Sequence, residues 1–301
     1  MNENNKKGHS EKYFTDDRDH WFNRDFLDLL ARRWGLLEHA TLLDVGAGMC
    51  HWSKLLVPYL KPNSQITALD NDVKWAKSSP EIQDFFKENK STLNYVKGDA
   101  HKLPFKDNSF DVVTCQTVLI HLKDPELALR EMKRVVKKGG IVICSEPSNR
   151  IQALVQDTSN QNDNVDTILN RVKVNLAYEN HKKGQNNGNN SFGDLLAFTM
   201  NDLGFKDLKS FLNDKLITIY PPYDTLEQQA KVNTYLKWGK TEAEIAAFET
   251  DYQAAISSNN YPKFLKNYVP LTTANKVIMG LKNQTYSSSG ASLLYLISGR
   301  K

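Results

Sequence analysis

The sequence predicts an α/β fold in which a doubly wound, parallel sheet is flanked by helices. Five short apolar segments alternate with helical segments between residues 41 and 146, which is typical of parallel sheets because each crossover carries a helix. The first segment runs directly into a glycine turn, and the second ends on an acidic residue. Ligands bind such sheets at the carboxyl ends of the strands, so these two positions are candidate binding residues.

The composition fits a globular protein with one large α/β domain, or with a core that carries a sizeable insertion. The chain has 301 residues, of which 40% are hydrophobic and 25% charged, and its formal net charge is +4. The positive charge is not clustered, which argues against specific nucleic-acid binding. The sequence contains no apolar run of signal-peptide or membrane-span length. Its three scattered cysteines make no disulfide framework, so we expect a cytoplasmic protein with reduced thiols.

The first half is predicted to contain five strands and four helices. The apolar residues of the first helix recur at helical spacing, and each strand is a short apolar run bounded by turn residues. Lys137 to Gly140 are predicted to end the fourth helix. The helices are Asp19–Leu37, His51–Val57, Val73–Asn89 and Pro125–Val136, and the strands with their turns are Thr41–Gly48, Ser64–Asp70, Leu93–Asp99, Ser109–Gln116 and Ile141–Glu146.

Beyond Pro147 the regular pattern breaks. Residues 148–190 are polar and weakly helical, and their Asn/Gln/Gly tract, Gln185–Asn190, predicts a flexible loop. A helical, tyrosine-rich stretch at residues 225–282 separates the last two predicted strands. The predicted elements of this half are a helix at Phe192–Leu203, a sixth strand at Phe211–Tyr220 and a seventh at Ala291–Gly299.

The two long segments of the second half predict a mainly helical cap over the carboxyl ends of the strands. Both are far longer than ordinary connections. Their aromatic side chains either form the core of the cap or line a largely apolar ligand pocket, and Tyr223 is the candidate substrate contact. Tyr220-Pro221-Pro222-Tyr223 is interpreted as a turn that leaves the sixth strand.

The strongest chemical signal is Asp44-Val45-Gly46-Ala47-Gly48, between a strand and a helix. Two glycines one residue apart let the backbone turn sharply and approach a ligand closely. Asp70 ends the next strand, where a carboxylate accepts hydrogen bonds from ribose hydroxyls. His51 stands where a dinucleotide motif has its third glycine, so a nucleoside without a pyrophosphate fits better than NAD or FAD. The alternative is a simple turn that Asp44 caps.

Six motifs in order resemble the class I S-adenosylmethionine-dependent methyltransferases, and in pattern they are most similar to the ubiquinone/menaquinone-biosynthesis and small-molecule methyltransferases. The resemblance covers about Thr41 to Glu146. It implies a Rossmann-like, seven-stranded sheet whose last strand is antiparallel. The motifs are Leu42–Gly48, Ala68–Asp70, Gly98–Phe105, Ser109–Val113, His121–Pro125 and Arg134–Gly140.

On this interpretation, two insertions interrupt a core domain. A flexible segment at residues 1–17 precedes the S-adenosylmethionine-binding core and its N-terminal lid helix at residues 18–150. The two insertions, residues 151–190 and 222–288, form the cap. The core continues with a helix and the sixth strand at residues 191–221 and ends with the final strand at residues 289–301.

The resemblance also implies which residues hold S-adenosylmethionine, with S-adenosylhomocysteine as the product and no metal ion. The resemblance places the glycine turn and the residues beside this turn around the methionine part of the cofactor. The backbone at the end of the fourth strand would face the amino group of the cofactor. These residues are Asp44, Gly46, Ala47, Gly48 and, for the backbone contact, Gln116.

The nucleoside part is assigned to the ends of the second and third strands. Asp70 would bind the ribose diol, with Asn71 beside the adenine. Asp99 would accept a hydrogen bond from the adenine amino group, and the Ala100 amide would lie near the ring. Asp99 has an alternative role as the cap of the next turn.

Lid and catalytic residues complete the implied site. Tyr13 and Trp21 would close the cofactor side, although Trp21 could equally belong to the core. Methyl transfer depends mainly on holding the acceptor close and aligned, and His121 is the candidate base for an acceptor that must lose a proton. A purely structural hydrogen bond is the alternative for His121. We expect a small organic acceptor; the rivals are an RNA or protein methyltransferase and a non-catalytic S-adenosylmethionine-binding protein.

Overall fold

The computed structural model describes residues 16–72, 80–238, 270–290 and 292–301. Its strands are β1 (Thr41–Val45), β2 (Gln65–Asp70), β3 (Thr92–Lys97), β4 (Phe110–Gln116), β5 (Val136–Ser148), β6 (Lys206–Leu212) and β7 (Leu293–Arg300). They form a seven-stranded sheet in the order β3-β2-β1-β4-β5-β7-β6. Strands β1 to β5 pair in parallel, and β7 lies antiparallel between β5 and β6. The predicted fold class is confirmed.

Helices cover both faces of this sheet. Within the described ranges they are α1 (Arg24–Trp34), α2 (His51–Leu56), α3 (Pro80–Glu88), α4 (Pro125–Val135), α5 (Val165–Gly184), α6 (Gly193–Asp202), α7 (Leu226–Trp238) and α8 (Pro270–Lys282). Successive strand residues point to opposite faces. Leu42 and Val112 therefore pack with α1, α2 and α3, whereas Leu43 and Val113 pack with α4 and α6.

The first helix is shorter than the predicted Asp19–Leu37. A separate 3₁₀ turn, Asp16–His20, precedes α1. Gly35 ends α1 in the left-handed conformation, with a φ of 70°, and its N–H bonds back to Ala31 and Arg32 carbonyls. A glycine in this conformation is a common helix stop because it carries no Cβ. The predicted helix Val73–Asn89 is described only from Pro80 onward, because residues 73–79 lie outside the described ranges.

Strand β5 begins earlier than predicted, because residues 137–140 belong to the strand. Val136 pairs with Phe110 and Ile141 pairs with Val112, so four residues of β5 stand opposite Asp111 as a bulge. A Cβ on Gly140 would lie 2.7 Å from the Asp111 carbonyl oxygen, which explains the glycine there. The prediction that Lys137 to Gly140 only end the preceding helix was wrong.

The sixth strand also differs from the predicted Phe211–Tyr220. β6 runs from Lys206 to Leu212, and the chain then leaves the sheet. Ile219 forms an isolated bridge to Ser288 and is fully buried in a small apolar cluster away from the sheet. The apolar residues that suggested a strand therefore serve the packing of the second insertion.

Two insertions stand beside the carboxyl ends of the parallel strands. The first contains a 3₁₀ helix, Arg150–Leu154, and the 20-residue helix α5, so it is more helical than predicted. The second contains α7 and α8. An isolated bridge between Asp157 and Ser288 connects the two insertions, and a second bridge joins Ser288 to Ile219 in the segment after β6. Among the described helices, none combines the length and apolar composition that crossing a membrane requires.

Candidate functional site

The glycine turn after β1 has the geometry that its sequence suggested. Gly46 and Gly48 adopt φ angles of 69° and 49°, and the Gly46 and Ala47 amides donate to the Leu69 carbonyl at 2.7 and 3.0 Å. A Cβ on Gly46 would lie 2.5 Å from Cγ2 of Val118. Glycine is therefore required at position 46 both by its backbone angle and by the close approach of the loop after β4.

Asp44 lies at the end of β1 and is buried, with 1% of its surface exposed. The Ser53 hydroxyl of α2 donates to its Oδ2 at 2.5 Å. Burial raises the pKa of Asp44 to about 7, against the opposing effect of the Ser53 hydrogen bonds. The carboxyl group therefore joins β1 to α2 beneath the glycine turn, and its predicted contact with the methionine part stays a prediction.

Asp70 ends β2 and is tied directly to the glycine turn. Its Oδ2 accepts the Gly48 amide at 3.0 Å, and its Oδ1 accepts the Asp72 amide at 3.0 Å. Burial raises its pKa, while these backbone hydrogen bonds oppose that shift. Asn71, the next residue, is exposed. The acid at the end of β2 and the turn after β1 thus form one connected group at the same edge of the sheet.

Asp99 follows β3 and caps the next turn, the alternative that the sequence left open. Its Oδ1 accepts from the His101 amide at 2.9 Å and lies 2.8 Å from His101 Nδ1. The backbone hydrogen bond from His101 is the main reason why the pKa of Asp99 lies below its usual range. Both contacts use Oδ1, and the side chain is largely exposed. Ala100 beside it is buried.

The loop after β4 is organised by Glu146, which sequence reasoning missed. Glu146 lies near the end of β5 and is fully buried. Its carboxylate accepts the amides of Val118 and Leu119 at 2.9 Å and that of Ile120 at 3.3 Å. Burial raises its pKa to about 7, and the three amides oppose that shift. The available signal was an acidic residue in an otherwise apolar strand. Gln116, at the start of this loop, is buried.

His121 follows this loop and lies under the first insertion. Lys182 of α5 places its Nζ 3.4 Å from His121 Nδ1 and also donates to Asn190 Oδ1. Burial lowers the pKa of Lys182 to about 8. A Cβ on Gly188 would lie 2.2 Å from the Ile120 carbonyl oxygen. The predicted Asn/Gln/Gly loop therefore packs on the backbone beside His121. The end of α5, which precedes the loop, brings Lys182, a residue that the sequence analysis did not single out.

The N-terminal segment connects the glycine turn with the second insertion. Trp21 Nε1 donates to Asp17 Oδ2 at 3.2 Å. Asp17, which is 2% exposed, also accepts from Lys231 at 3.0 Å. Two residues later, Asp19 Oδ1 lies 2.9 Å from Nδ1 of His51, the first residue of α2. Trp21 is half-buried and packs against the core, and Tyr13, the other predicted lid residue, lies outside the described residues.

Tyr223 lies in the core of the second insertion. It is 8% exposed and packs with Ile219, Leu281 and Tyr286. Its hydroxyl donates to the Tyr286 carbonyl at 2.9 Å. The Tyr223 amide bonds to the Tyr220 carbonyl, so this segment forms a turn, although it lies beyond the end of β6 by several residues. Of the two roles that the sequence left open for cap aromatics, the packing of Tyr223 corresponds to the core role.

A cavity of about 200 Å³ lies between the two insertions. It is bounded by the segment after β5, by α5 and α7, and by the segment before β7. In the described ranges no group of three or more His, Cys, Asp or Glu side chains could hold a metal ion. The residues that line the cavity are Gln152, Val155, Asp157, Asn160, Arg171, Lys231, Tyr235, Tyr286, Ser288, Gly290 and Ser292.

Sequence comparison assigns the central part of the chain to a known family. Residues 43–144 match a family model described as a methyltransferase domain. The demethylmenaquinone methyltransferase of Staphylococcus aureus (strain JH9) is 37% identical over 117 residues, which are 38% of this chain and 46% of that protein. The chain thus spans about half the length of the curated relatives that it matches.

Two solved structures resemble the chain at low identity. A proposed methyltransferase of Bacillus halodurans C-125 is 20% identical, with a TM-score of 0.49 over 92% of this chain and 99% of that one. Haemonchus contortus phosphoethanolamine N-methyltransferase 2, in complex with phosphomonomethylethanolamine and S-adenosylhomocysteine, is 14% identical, with a TM-score of 0.45 over 92% and 52%.

The matched segment contains the main parts of the candidate site. Residues 43–144 include Asp44, the glycine turn, Asp70, Asp99 and the loop after β4. The structure brings the turn, Asp70 and the loop together at one edge of the sheet. Residues 43–144 are therefore similar to a methyltransferase domain, and they lie in a seven-stranded sheet in which β7 is antiparallel to its neighbours.

Proposed function

We propose that this protein transfers a methyl group from S-adenosylmethionine to a small organic acceptor. The observation that carries the proposal is the joining of three separate segments at the carboxyl ends of β1, β2 and β4. Gly48 donates to Asp70, and Gly46 leaves room for Val118 of the loop after β4. Ligand sites of doubly wound sheets lie at this edge.

The residues at this edge fit the cofactor. A carboxylate offers about four acceptor sites. The Gly48 and Asp72 amides take one on each oxygen of Asp70, and the Asn71 amide adds a further hydrogen bond, so capacity remains for a ribose hydroxyl. Both contacts of Asp99 use Oδ1, which leaves Oδ2 to accept from an adenine amino group. When bound, S-adenosylmethionine supplies a methyl group activated by a sulfonium sulfur.

In the proposed reaction the protein mainly binds and orients. Displacement at a carbon atom needs the acceptor atom close to the methyl group and in line with the bond that breaks, and positioning supplies much of the rate enhancement. Glu146 holds the amides of the loop after β4 in place. Gly188 packs closely on that loop from above. These contacts would fix the wall of the site against which the acceptor is held.

For an acceptor that must lose a proton, the contact between His121 and Lys182 would determine whether the imidazole Nε2 donates or accepts a hydrogen bond. A charged Lys182 that donates to Nδ1 of neutral His121 leaves the imidazole proton on Nε2, so the ring acts as a donor. A neutral Lys182 allows a proton on Nδ1 and leaves Nε2 able to accept. Since burial lowers the pKa of Lys182 to about 8, the second state gains population as the pH rises through that value.

Calorimetric titration with S-adenosylhomocysteine tests the cofactor assignment. We expect Asp70→Asn to weaken binding by about tenfold or more, because hydrogen bonds to charged groups are worth about 1.5 to 3 kcal/mol. Asp202→Asn, on the exposed side of α6, is the matched control and should bind as the unaltered protein does. Absence of binding to the unaltered protein would contradict the proposed function.

A further inference from the structure

We propose that the cavity between the two insertions binds the methyl acceptor, and that this acceptor is a small polar molecule with a carboxylate or phosphate group. The inference rests on the proposed function, because it names the substrate class of the same site. It follows from where the cavity lies, from its size and from the donors that line it.

The cavity stands at the same edge of the sheet as the proposed cofactor residues. Ser148 at the end of β5 pairs with Leu293 at the start of β7. The cavity is lined by Gln152 and Ser292, a few residues beyond this pair. The cavity therefore lies beyond the carboxyl end of β5, one of the parallel strands.

The N-terminal segment joins this cavity to the glycine turn. Lys231 lines the cavity and bonds to Asp17. Asp19, two residues along the same 3₁₀ turn, contacts His51 at the start of α2. The rise of a 3₁₀ helix is about 2 Å per residue, so one short turn contacts both Lys231 of the cavity lining and His51, the first residue of α2. The N-terminal segment therefore links the lining of the cavity to the helix that follows the glycine turn.

The lining of the cavity is polar. Val155 is its one aliphatic side chain among the described lining residues, and the rest are charged groups, amides, hydroxyls, two tyrosines and a glycine. Its volume of about 200 Å³ is below the roughly 300 to 1,000 Å³ of pockets for drug-sized ligands. A small water-soluble acceptor fits this space, whereas a long apolar one does not. The sequence had allowed a largely apolar pocket, and the residues that line this cavity are more polar than that.

The charged groups of the lining favour an anion. Arg171 donates Nε to the Ala153 carbonyl at 2.8 Å and Nη1 to Asp163 at 2.6 Å. A guanidinium carries five N–H donors, and its planar fork matches a carboxylate or phosphate. The acids that pair with the two cations, Asp163 and Asp17, lie outside the lining. The two cations are therefore anchored by acids that do not line the cavity, and Arg171 keeps N–H groups beyond those used in these two hydrogen bonds to offer to a ligand.

Asp157, the carboxylate of the lining, is already held by other groups. Its Oδ1 accepts the amide and the hydroxyl of Ser159 at 2.8 and 2.5 Å, and its Oδ2 accepts the Tyr286 hydroxyl at 3.0 Å. The ring of Tyr286 stands edge-on to that of Tyr235 at 6.2 Å between centroids. The two tyrosine rings thus give the lining aromatic surface that the carbon body of the acceptor can contact.

Thermal denaturation with matched fragments tests the inference. The probes are benzoate and phenyl phosphate, with benzamide as the neutral counterpart of the same shape. At a concentration of about ten times its dissociation constant, the anion that fits the cavity should raise the melting temperature of the protein by about 2 °C or more. Benzamide at the same concentration should not raise it. Which of the two anions gives the larger shift distinguishes a carboxylate from a phosphate acceptor.

Variants assign the shift to the cavity. Arg171→Met should abolish the anion-induced rise in melting temperature. Lys231→Met should reduce that rise, and it is made as a second variant because Arg171→Met could lower the stability of the first insertion. Arg130→Met, which removes an exposed arginine of α4, should leave it unchanged. Equal shifts with benzamide, no shift with either anion, or a full shift in Arg171→Met would each overturn the inference. Titration with S-adenosylhomocysteine in the same samples reports the cofactor site separately, so its failure identifies a failure of the proposed function instead.

Discussion

Replacement of Glu146 by glutamine tests how burial and hydrogen bonding compete at one carboxylate. The side chain is fully buried and accepts three backbone amides of the loop after β4. Glutamine has nearly the same shape and is neutral at every pH. Its carbonyl oxygen can still accept from Val118 and Leu119, so Glu146→Gln removes the titration and keeps most of the contacts.

The expected effect depends on pH. Burial raises the pKa of Glu146 from 4.5 to about 7, so between these values the folded protein binds more protons than the unfolded chain. The carboxyl group therefore stabilises the fold below pH 4.5, and this contribution is lost as the pH rises through 7. At about 1.4 kcal/mol per pKa unit, the free energy of unfolding of the wild type should fall relative to Glu146→Gln by roughly 2 to 3 kcal/mol between about pH 5 and pH 8.

Urea denaturation followed by tryptophan fluorescence at several pH values in this range measures the difference directly. Groups common to both proteins, including buried Asp44, cancel in the comparison. Glu126→Gln, at an exposed position of α4, is the control and should give no pH-dependent difference. A wild type that becomes more stable relative to Glu146→Gln as the pH rises would refute the reasoning, because it would mean that the three amides outweigh burial and hold the pKa of Glu146 below its usual value.

Two further predictions concern the glycine turn and the N-terminal segment. Gly46→Ala should weaken S-adenosylhomocysteine binding by about tenfold in calorimetry, because the added Cβ would clash with Val118. Adding Val118→Ala to this variant should recover part of the lost affinity. Unchanged binding by Gly46→Ala alone would contradict the packing argument. Asp17→Asn should lower the free energy of unfolding by about 3 kcal/mol, because it removes the buried carboxylate that pairs with Lys231. Chemical denaturation measures this loss, with Asp25→Asn at an exposed position as the control. Equal stability of the two variants would rule the prediction out.

The central part of the fold could be predicted because its signals are local. Strands that are buried on both faces read as apolar runs, and β1, β2 and β4 are such strands. Gly46 and Asp70 could also be identified, since a turn that needs glycine and an acid at a strand end are visible from a few neighbouring residues. The geometry of the turn followed those expectations.

The edge strand β6 and the first residues of β5 could not be predicted from local signals in the sequence. β6 exposes most of its residues, and only Leu208 and Phe211 are half-buried, so it carries no apolar run. Its pairing with β7 decides where it lies. The first residues of β5 form a bulge against Asp111, and such a bulge depends on the neighbouring strand and not on local propensity.

The missed residues of the candidate site act through partners that are distant in the chain. Glu146 binds amides more than 25 residues earlier, with separations of 26 to 28 residues, and Lys182 meets His121 across 61 residues. Neither residue forms part of a spaced motif. A single sequence shows such residues only as a charge in an apolar strand or as one lysine among many, so their roles emerged with the folded structure.

The place of β7 in the sheet affects how the protein folds during synthesis. β7 is made after β6 and residues 213–292, yet it separates β5 from β6 and pairs with both. Until it leaves the ribosome, β5 presents an open backbone edge. Such edges template association with other chains, and pairings between distant segments form slowly. Nascent chains arrested before residue 293 should therefore depend on chaperones, and release of the last strand should end that dependence.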